Sequence, residues 1–256
     1  MTVLLIRANR NEVDALELAA VGVTSLVDPY LEISGLSNHD GADRMLSAIE
    51  SAEGNSVPTW LVVTSTNALE CFERLLEPGS LGRAIRNTEH LKFAAIGEMT
   101  AEQLLDRGAD QVLTPRGFNP MAKVDSQSLA DLLCQTPAGI AVIPSGSLAM
   151  EGLSRNLIDH GFEVVSELVY QTREAHSTPS SVSKIQQGQI EAVLLRSPSA
   201  ARAFVRFNGL PRNIKVFCAG QTTASQVREL GLVVTAVSDD PSPLSVARTI
   251  AQHMNV

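Results

Sequence analysis

The chain is short of several things that would settle its chemistry at once. It has 3 cysteines in 256 residues. They are Cys71, Cys134 and Cys218, an odd number that rules out a complete disulfide framework, and no pair has metal or redox spacing. Two fall in helical patterns and Cys218 in an apolar strand, so all three read as plain core thiols. Only four lysines occur, Lys92, Lys123, Lys184 and Lys215, and they lie far apart. The formal net charge is −8. An acidic chain without a basic cluster is a poor partner for nucleic acid or an anionic membrane. The apolar runs are short, such as Leu61–Val63 and Ala192–Leu195. None approaches the about 20 residues that span a bilayer. The opening Met1–Arg7 lacks a basic leader and reads as a first strand, not a signal peptide, so a cytoplasmic protein is expected.

Familiar motifs are missing too. No G-x-G-x-x-G follows the first strand, and no G-x-x-x-x-G-K-[ST] or G-x-S-x-G occurs. His39, His90, His160, His176 and His253 show no metal spacing and read as surface residues. Asp239-Asp240-Pro241 reads as a turn. A site with no evident nucleophile, metal or charged acid–base pair suits chemistry that its substrate nearly performs unaided.

What the chain does have is a globular balance, 44% hydrophobic and 19% charged. The length fits one large domain or two ordinary ones. It also has internal repetition. Leu61–Ala68 matches Val193–Ala200 at an offset of 132, pairing Ser65 with Ser197 and Phe72 with Phe204. Ala95–Ala101 matches Cys218–Ala224 at an offset of 123, pairing Gly97 with Gly220 and Thr100 with Thr223. More weakly, Val3–Ile6 resembles Ala141–Pro144, each followed by a glycine, Gly22 or Gly161. Three blocks in the same order indicate a duplicated unit.

Short apolar runs alternate with helical periodicity in both copies. Strands are expected at Val3–Ile6, Val23–Val27, Trp60–Thr64, Lys92–Ile96 and Gln111–Leu113. In the second copy they are expected at Ile140–Ile143, Glu163–Val169, Ala192–Leu195, Lys215–Cys218 and Val233–Ala236. Gly22, Gly108, Gly161 and Gly231 fall where helices should end. Such alternation predicts an α/β fold with parallel sheets covered on both faces. Two polar breaks, Glu32–Ser37 and Thr172–Pro179, follow the second strand of each copy. If the chain crosses between domains at both breaks, one domain is discontinuous and each has five strands. Two sequential domains divided near Ala138 are an equally good reading of the pattern.

Ligands of open parallel sheets bind beyond the carboxyl ends of the strands. The expected strand ends carry Arg7, Ser65-Thr66-Asn67, Gly97 with Thr100, Ser145-Gly146-Ser147, Arg196-Ser197-Pro198-Ser199 and Gly220-Gln221-Thr222-Thr223. Hydroxyls there cap the next helix, and its free N–H groups can hold an anion. Capping alone also explains each tip. Repetition in both copies favours a shared site for several anionic groups. Tyr170 closes an expected strand just before a proposed crossing, where it is either a core tyrosine or an interface residue.

Taken together, the blocks Leu4–Arg7, Leu61–Ala68, Ala95–Ala101, Val169–Thr172, Leu195–Ser199 and Ala219–Ala224 resemble the uroporphyrinogen-III synthase family. The resemblance spans essentially the whole chain. It implies two flavodoxin-like, doubly wound parallel-sheet domains joined by a two-segment hinge. The first would be discontinuous, 1–34 plus 173–256, the second 38–169, and the hinge segments about 35–37 and 170–172. It implies a cofactor-free, metal-free lyase that acts as a monomer. Hydroxymethylbilane, handed over by hydroxymethylbilane synthase, would be cyclised to uroporphyrinogen III in a cleft between the domains. Tyr170 would assist loss of the substrate hydroxyl. Ser65, Thr100, Ser197, Thr222 and Thr223 would bind substrate, with Arg7, Thr66, Asn67, Gly97, Ser145, Gly146, Ser199 and Gly220 completing the tips. Asn67 departs from members that carry a basic residue there. Arg7, Arg173 and Arg196 are expected to add local positive charge. Two rival classes stay open on the residues alone. One is a non-catalytic module that closes on an anionic metabolite. The other is a nucleotide-using transferase, weakened by the missing glycine-rich loop.

Overall fold

A computed structural model describes residues 2–54, 57–88, 90–147 and 152–254. Along them run β1 (Thr2–Leu5), α1 (Asn11–Ala20), β2 (Thr24–Val27), β3 (Leu31–Gly35), α2 (His39–Glu50), β4 (Thr59–Val63), α3 (Thr66–Leu75) and α4 (Ser80–Asn87). Next come β5 (Leu91–Ala95), α5 (Glu98–Asp106), β6 (Val112–Leu113), α6 (Pro115–Phe118), α7 (Ser126–Leu133), β7 (Ile140–Gly146), α8 (Gly152–Asp159) and β8 (Glu163–Glu174). The chain continues with α9 (Ser181–Gln186), β9 (Ala192–Leu195), α10 (Pro198–Asn208), β10 (Lys215–Cys218), α11 (Gln221–Glu229), β11 (Ala236–Val237) and α12 (Pro243–Met254).

Contacts divide the chain into two compact units. Unit 1 is Met1–Ile33 with Thr172–Val256, and unit 2 is Ser34–Gln171. The sheet of unit 1 has the order β11-β10-β9-β1-β2, with every neighbouring pair parallel. That of unit 2 has the order β3-β8-β7-β4-β5-β6, and β8 through β6 are parallel. So the first two strands of the first copy join three strands of the second, and β7 and β8 join three strands of the first. β3 lies beside β8 in the opposite sense: Leu36 N–H donates to Val169 O and Ala175 N–H to Tyr30 O, each at 3.0 Å or less.

The central strands are apolar because both faces are covered. Alternate residues serve opposite faces. In unit 1, Leu4, Val193, Leu195 and Val216 enter one buried cluster. Val3, Leu5, Leu194 and Phe217 enter the other. In unit 2, Leu61, Val63, Phe93 and Val142 pack on one side, and Trp60, Val62, Ala94 and Ile143 on the other. The helices end as expected at Gly22, Gly108, Gly161 and Gly231, all with positive φ. Such a φ favours glycine, which has no Cβ to clash.

Three expectations fail locally. Glu32–Ser37 is not a flexible break: Leu31–Gly35 is a strand, so the second sheet has a sixth strand. Likewise β8 does not stop at Val169 but runs to Glu174, through the start of the second expected break. Neither stretch has an apolar run. Pairing between β3 and β8 holds the backbone extended by satisfying its N–H and C=O groups. The last strand is Ala236–Val237, and Val233, expected to start it, is 83% exposed.

Candidate functional site

Unit 2 assembles its polar tips around Tyr170. Ser65 is the N-cap of α3, and its Oγ accepts from Ala68 N–H at 3.1 Å. Thr66 is buried as the first residue of the helix, and Asn67 is half-buried beside it. Tyr170 arrives from β8. The register between β7 and β8 slips after Ser145, which pairs with Leu168, so that Gly146 pairs with Tyr170. The slip leaves Val169 without a partner on β7, and such a bulge re-aims the side chain that follows. The Tyr170 ring then lies directly on Gly146. A Cβ at residue 146 would come within 2.2 Å of the ring carbon Cζ. The Tyr170 hydroxyl ends 3.1 Å from Ser65 Oγ. The tips of β4 and β7 and the bulged β8 thus hold one phenol. Ser145 is not part of this group: its Oγ bonds Ile143 O at 3.3 Å and lies 3.0 Å from Ser166 Oγ.

A second tip of unit 2 is bare backbone. Gly97 is the N-cap of α5 and has no side chain to satisfy the first-turn N–H groups. Thr100 is buried in that first turn, and its N–H donates to Gly97 O at 3.1 Å.

Unit 1 repeats the plan with different chemistry. Ser197 caps α10, its Oγ accepting from Ala200 N–H at 3.2 Å and lying 2.9 Å from Ser199 Oγ. Gly220 is the N-cap of α11, with Thr222 exposed and Thr223 buried in the first turn. At the ends of β1 and β9 stands an ionic cluster. Arg196 donates to both carboxylate oxygens of Asp14, at 2.8 and 2.6 Å, and to Pro241 O at 2.7 Å. Arg7 reaches the same carboxylate at 3.8 Å. Its backbone is held by Asn11, which accepts from Arg7 N–H and donates to Arg7 O. Burial, then repulsion from Arg196, pulls the Arg7 guanidinium below its ordinary pKa, against the opposing pull of Asp14. The expectation that Arg196 adds free positive charge is therefore corrected: Asp14, 2% exposed, consumes it in a two-pronged pair. Arg7 keeps a weaker contact and more solvent exposure, and Arg173 is exposed on β8.

A family model described as Uroporphyrinogen-III synthase HemD matches residues 13–247. The chain belongs to the uroporphyrinogen-III synthase family. Two solved structures share its fold. Uroporphyrinogen-III synthetase from Helicobacter pylori is 18% identical, with 99% of this chain and 100% of that chain covered and a TM-score of 0.63. A mutant uroporphyrinogen III synthase from Thermus thermophilus is 16% identical, with 99% of each chain covered and a TM-score of 0.58.

In this family member, Tyr170, Ser65 and Gly146 meet within unit 2, and Ser197 meets Ser199 within unit 1. Arg7 and Arg196 meet there through Asp14. Asp14 and Asn11 escaped the sequence reading. Their signal was an acid and an amide on the buried face of α1 with Leu18, at helical spacing. The tips carry hydroxyls, one phenol and helix N-termini. These donors can bind carboxylates and polarise a leaving hydroxyl. A cavity of about 660 Å³, lined by Trp60, Lys92, Phe93 and Leu113, opens at the other, amino-terminal edge of β4 and β5. Among the described residues no group of three His, Cys, Asp or Glu is placed to hold a metal. No described helix is long and apolar enough to cross a membrane.

Proposed function

We propose that this chain converts hydroxymethylbilane to uroporphyrinogen III and water, as a cytoplasmic monomer that needs no cofactor. The substrate, handed over by its synthase, would bind at the strand-tip residues. The observation that carries this reading is the Tyr170 hydroxyl, set 3.1 Å from Ser65 Oγ over Gly146. A neutral phenol both donates and accepts hydrogen bonds. Held by Ser65, it can donate to the hydroxyl that leaves the hydroxymethyl carbon on the first pyrrole ring. The electron-rich pyrrole expels that hydroxyl as water and becomes an azafulvene. The substituted carbon of the last ring then attacks it, giving a spiro intermediate that reopens and recloses with that ring inverted. Without a protein the same azafulvene closes to the uninverted isomer. The protein's contribution is thus positioning and exclusion of water more than strong acid–base catalysis.

The many acetate and propionate groups of the substrate need anion sites in a chain of net charge −8. The N-termini of α3, α5, α10 and α11 supply N–H groups for them, and Arg7 adds a cation. The test is to add hydroxymethylbilane to the purified protein and resolve the porphyrin isomers after oxidation. Isomer III is expected, and isomer I alone at the spontaneous rate would sink the reading. Tyr170→Phe should slow formation of isomer III while costing only about 1 kcal/mol of stability, one hydrogen bond. Wild-type turnover in that variant would remove Tyr170 from the mechanism.

A further inference from the structure

The segment after β6 carries an exposed apolar surface at the strand-tip edge of unit 2. Phe118 is 63% exposed, Met121 89% and Val124 37%, and Met99, in the first turn of α5, is 54% exposed. Three of these exposed apolar side chains fall within one short segment, and such clustering is what a binding surface requires. The segment is braced. Thr114 caps α6 by accepting from Gly117 N–H at 3.0 Å. Asn119 accepts from Met121 N–H through Oδ1 at 3.0 Å and, through its backbone oxygen, from Ala122 N–H at 2.8 Å. Arg116 Nε donates to Ala122 O, and Asp125 caps α7 by accepting from Ser128 N–H at 2.8 Å. The side chains are therefore presented to solvent by an ordered turn.

Two observations name the occupant. The first is continuity with the candidate site. A Cβ on Gly97 would lie 3.1 Å from Val124 Cγ1, so the apolar segment packs against the bare N-cap of α5. The second is charge. Between Asp110 and Asp125 the only charged residues are Arg116 and Lys123, in a chain of net charge −8. The bordering acids, Glu98 and Asp125, sit at helix N-termini, where the helix dipoles offset their charge. An apolar shelf with a cationic rim fits an aromatic ring that carries carboxylates on its edge.

We propose that Met99, Phe118, Met121 and Val124 form a shelf for the face of one pyrrole ring of the tetrapyrrole, and that Lys123 pairs with a carboxylate of that ring. This rests on the function proposed above. The shelf grips substrate and transition state alike, so it lowers KM and leaves kcat nearly unchanged.

The test compares steady-state kinetics of the full chain with hydroxymethylbilane. Phe118→Ala/Met121→Ala is expected to raise KM about tenfold, with kcat within about twofold and isomer III still the product. Lys123→Gln is expected to raise KM about threefold and to flatten its dependence on salt. Ile158→Ala, as exposed at 57% but near the far end of α8, should leave KM unchanged. If the double variant fails to fold, Met121→Ala alone carries the test. An unchanged KM in a protein that still makes isomer III overturns the shelf and leaves the proposed function standing. A wild-type protein that yields only isomer I overturns both. A dimer that is lost in the double variant while KM stays put assigns the shelf to a second copy of the chain and also overturns the proposal.

Discussion

Ser65 and Ser197 occupy matching places in the two copies, at the tips of β4 and β9, and both cap the following helix. Around that shared cap the two tips have diverged. In unit 2 the serine meets a phenol from a bulged strand, and Thr64 precedes it. In unit 1 the serine meets another serine, Ser199, and the matching position before it is Arg196, locked onto Asp14. A duplicated unit keeps what its own backbone requires, the cap and the helix N-terminus. Changes within the block, Thr64 against Arg196, and partners from outside it, Tyr170 and Asp14, decide what chemistry is added. One tip is neutral and hydroxyl-rich, the other ionic and inward-facing.

The sharpest way to break this contrast is Asp14→Ala. It leaves Arg196, 12% exposed, without its counter-charge. Unfolding in denaturant should show unit 1 weakened by about 3–5 kcal/mol. A loss under about 1 kcal/mol would mean the tip of unit 1 is no more ionic in effect than that of unit 2.

A smaller difference separates the next pair of tips. Cys218 of β10 stands where β5 of unit 2 has Ala95. Burial pushes its thiol up to about 11 from an ordinary value of 9.0. The folded-state pKa is raised, so the unfolded chain releases this proton first. The stabilisation is complete below pH 9 and disappears as pH rises toward 11, by about 2 kcal/mol. Stability measured across that window should fall in the wild type and fall less in Cys218→Ala. Equal slopes would place the alkaline weakness elsewhere.

The smallest effect is the most discriminating. Ser65→Ala and Ser197→Ala should each cost about 1 kcal/mol as lost helix caps. Combined with Tyr170→Phe in double-mutant cycles, only Ser65 should show coupling, of about 0.5–1.5 kcal/mol. Additivity at both serines would dissolve the contrast.

Much of the strand and helix pattern could be read from the chain. Ala192–Leu195 and Lys215–Cys218 are strands as expected, because buried parallel strands advertise themselves as apolar runs. Leu31–Gly35 could not be read, because an edge strand of mixed polarity has no local signal and exists through its bonds to β8. The tip serines were legible as caps, since capping is decided within three residues. The setting of Tyr170 was not. Its position beside Ser65 depends on a bulge opposite Gly146 and on a contact across 105 residues. Nor did the sequence reveal that Arg196 would be consumed by a carboxylate 182 residues away.

By itself, then, the sequence determined the alternation of strands and helices, the duplicated tips and the family. Each is written in local periodicity, caps and ordered blocks. The tertiary structure alone decided that β1 lies against β9 and β7 against β4. Those pairings bring Tyr170 beside Ser65 and Asp14 beside Arg196. The physical reason is the same in each case. Taking a hydroxyl or a charge out of water is costly unless a partner replaces the water, and here the partner comes from a distant part of the chain.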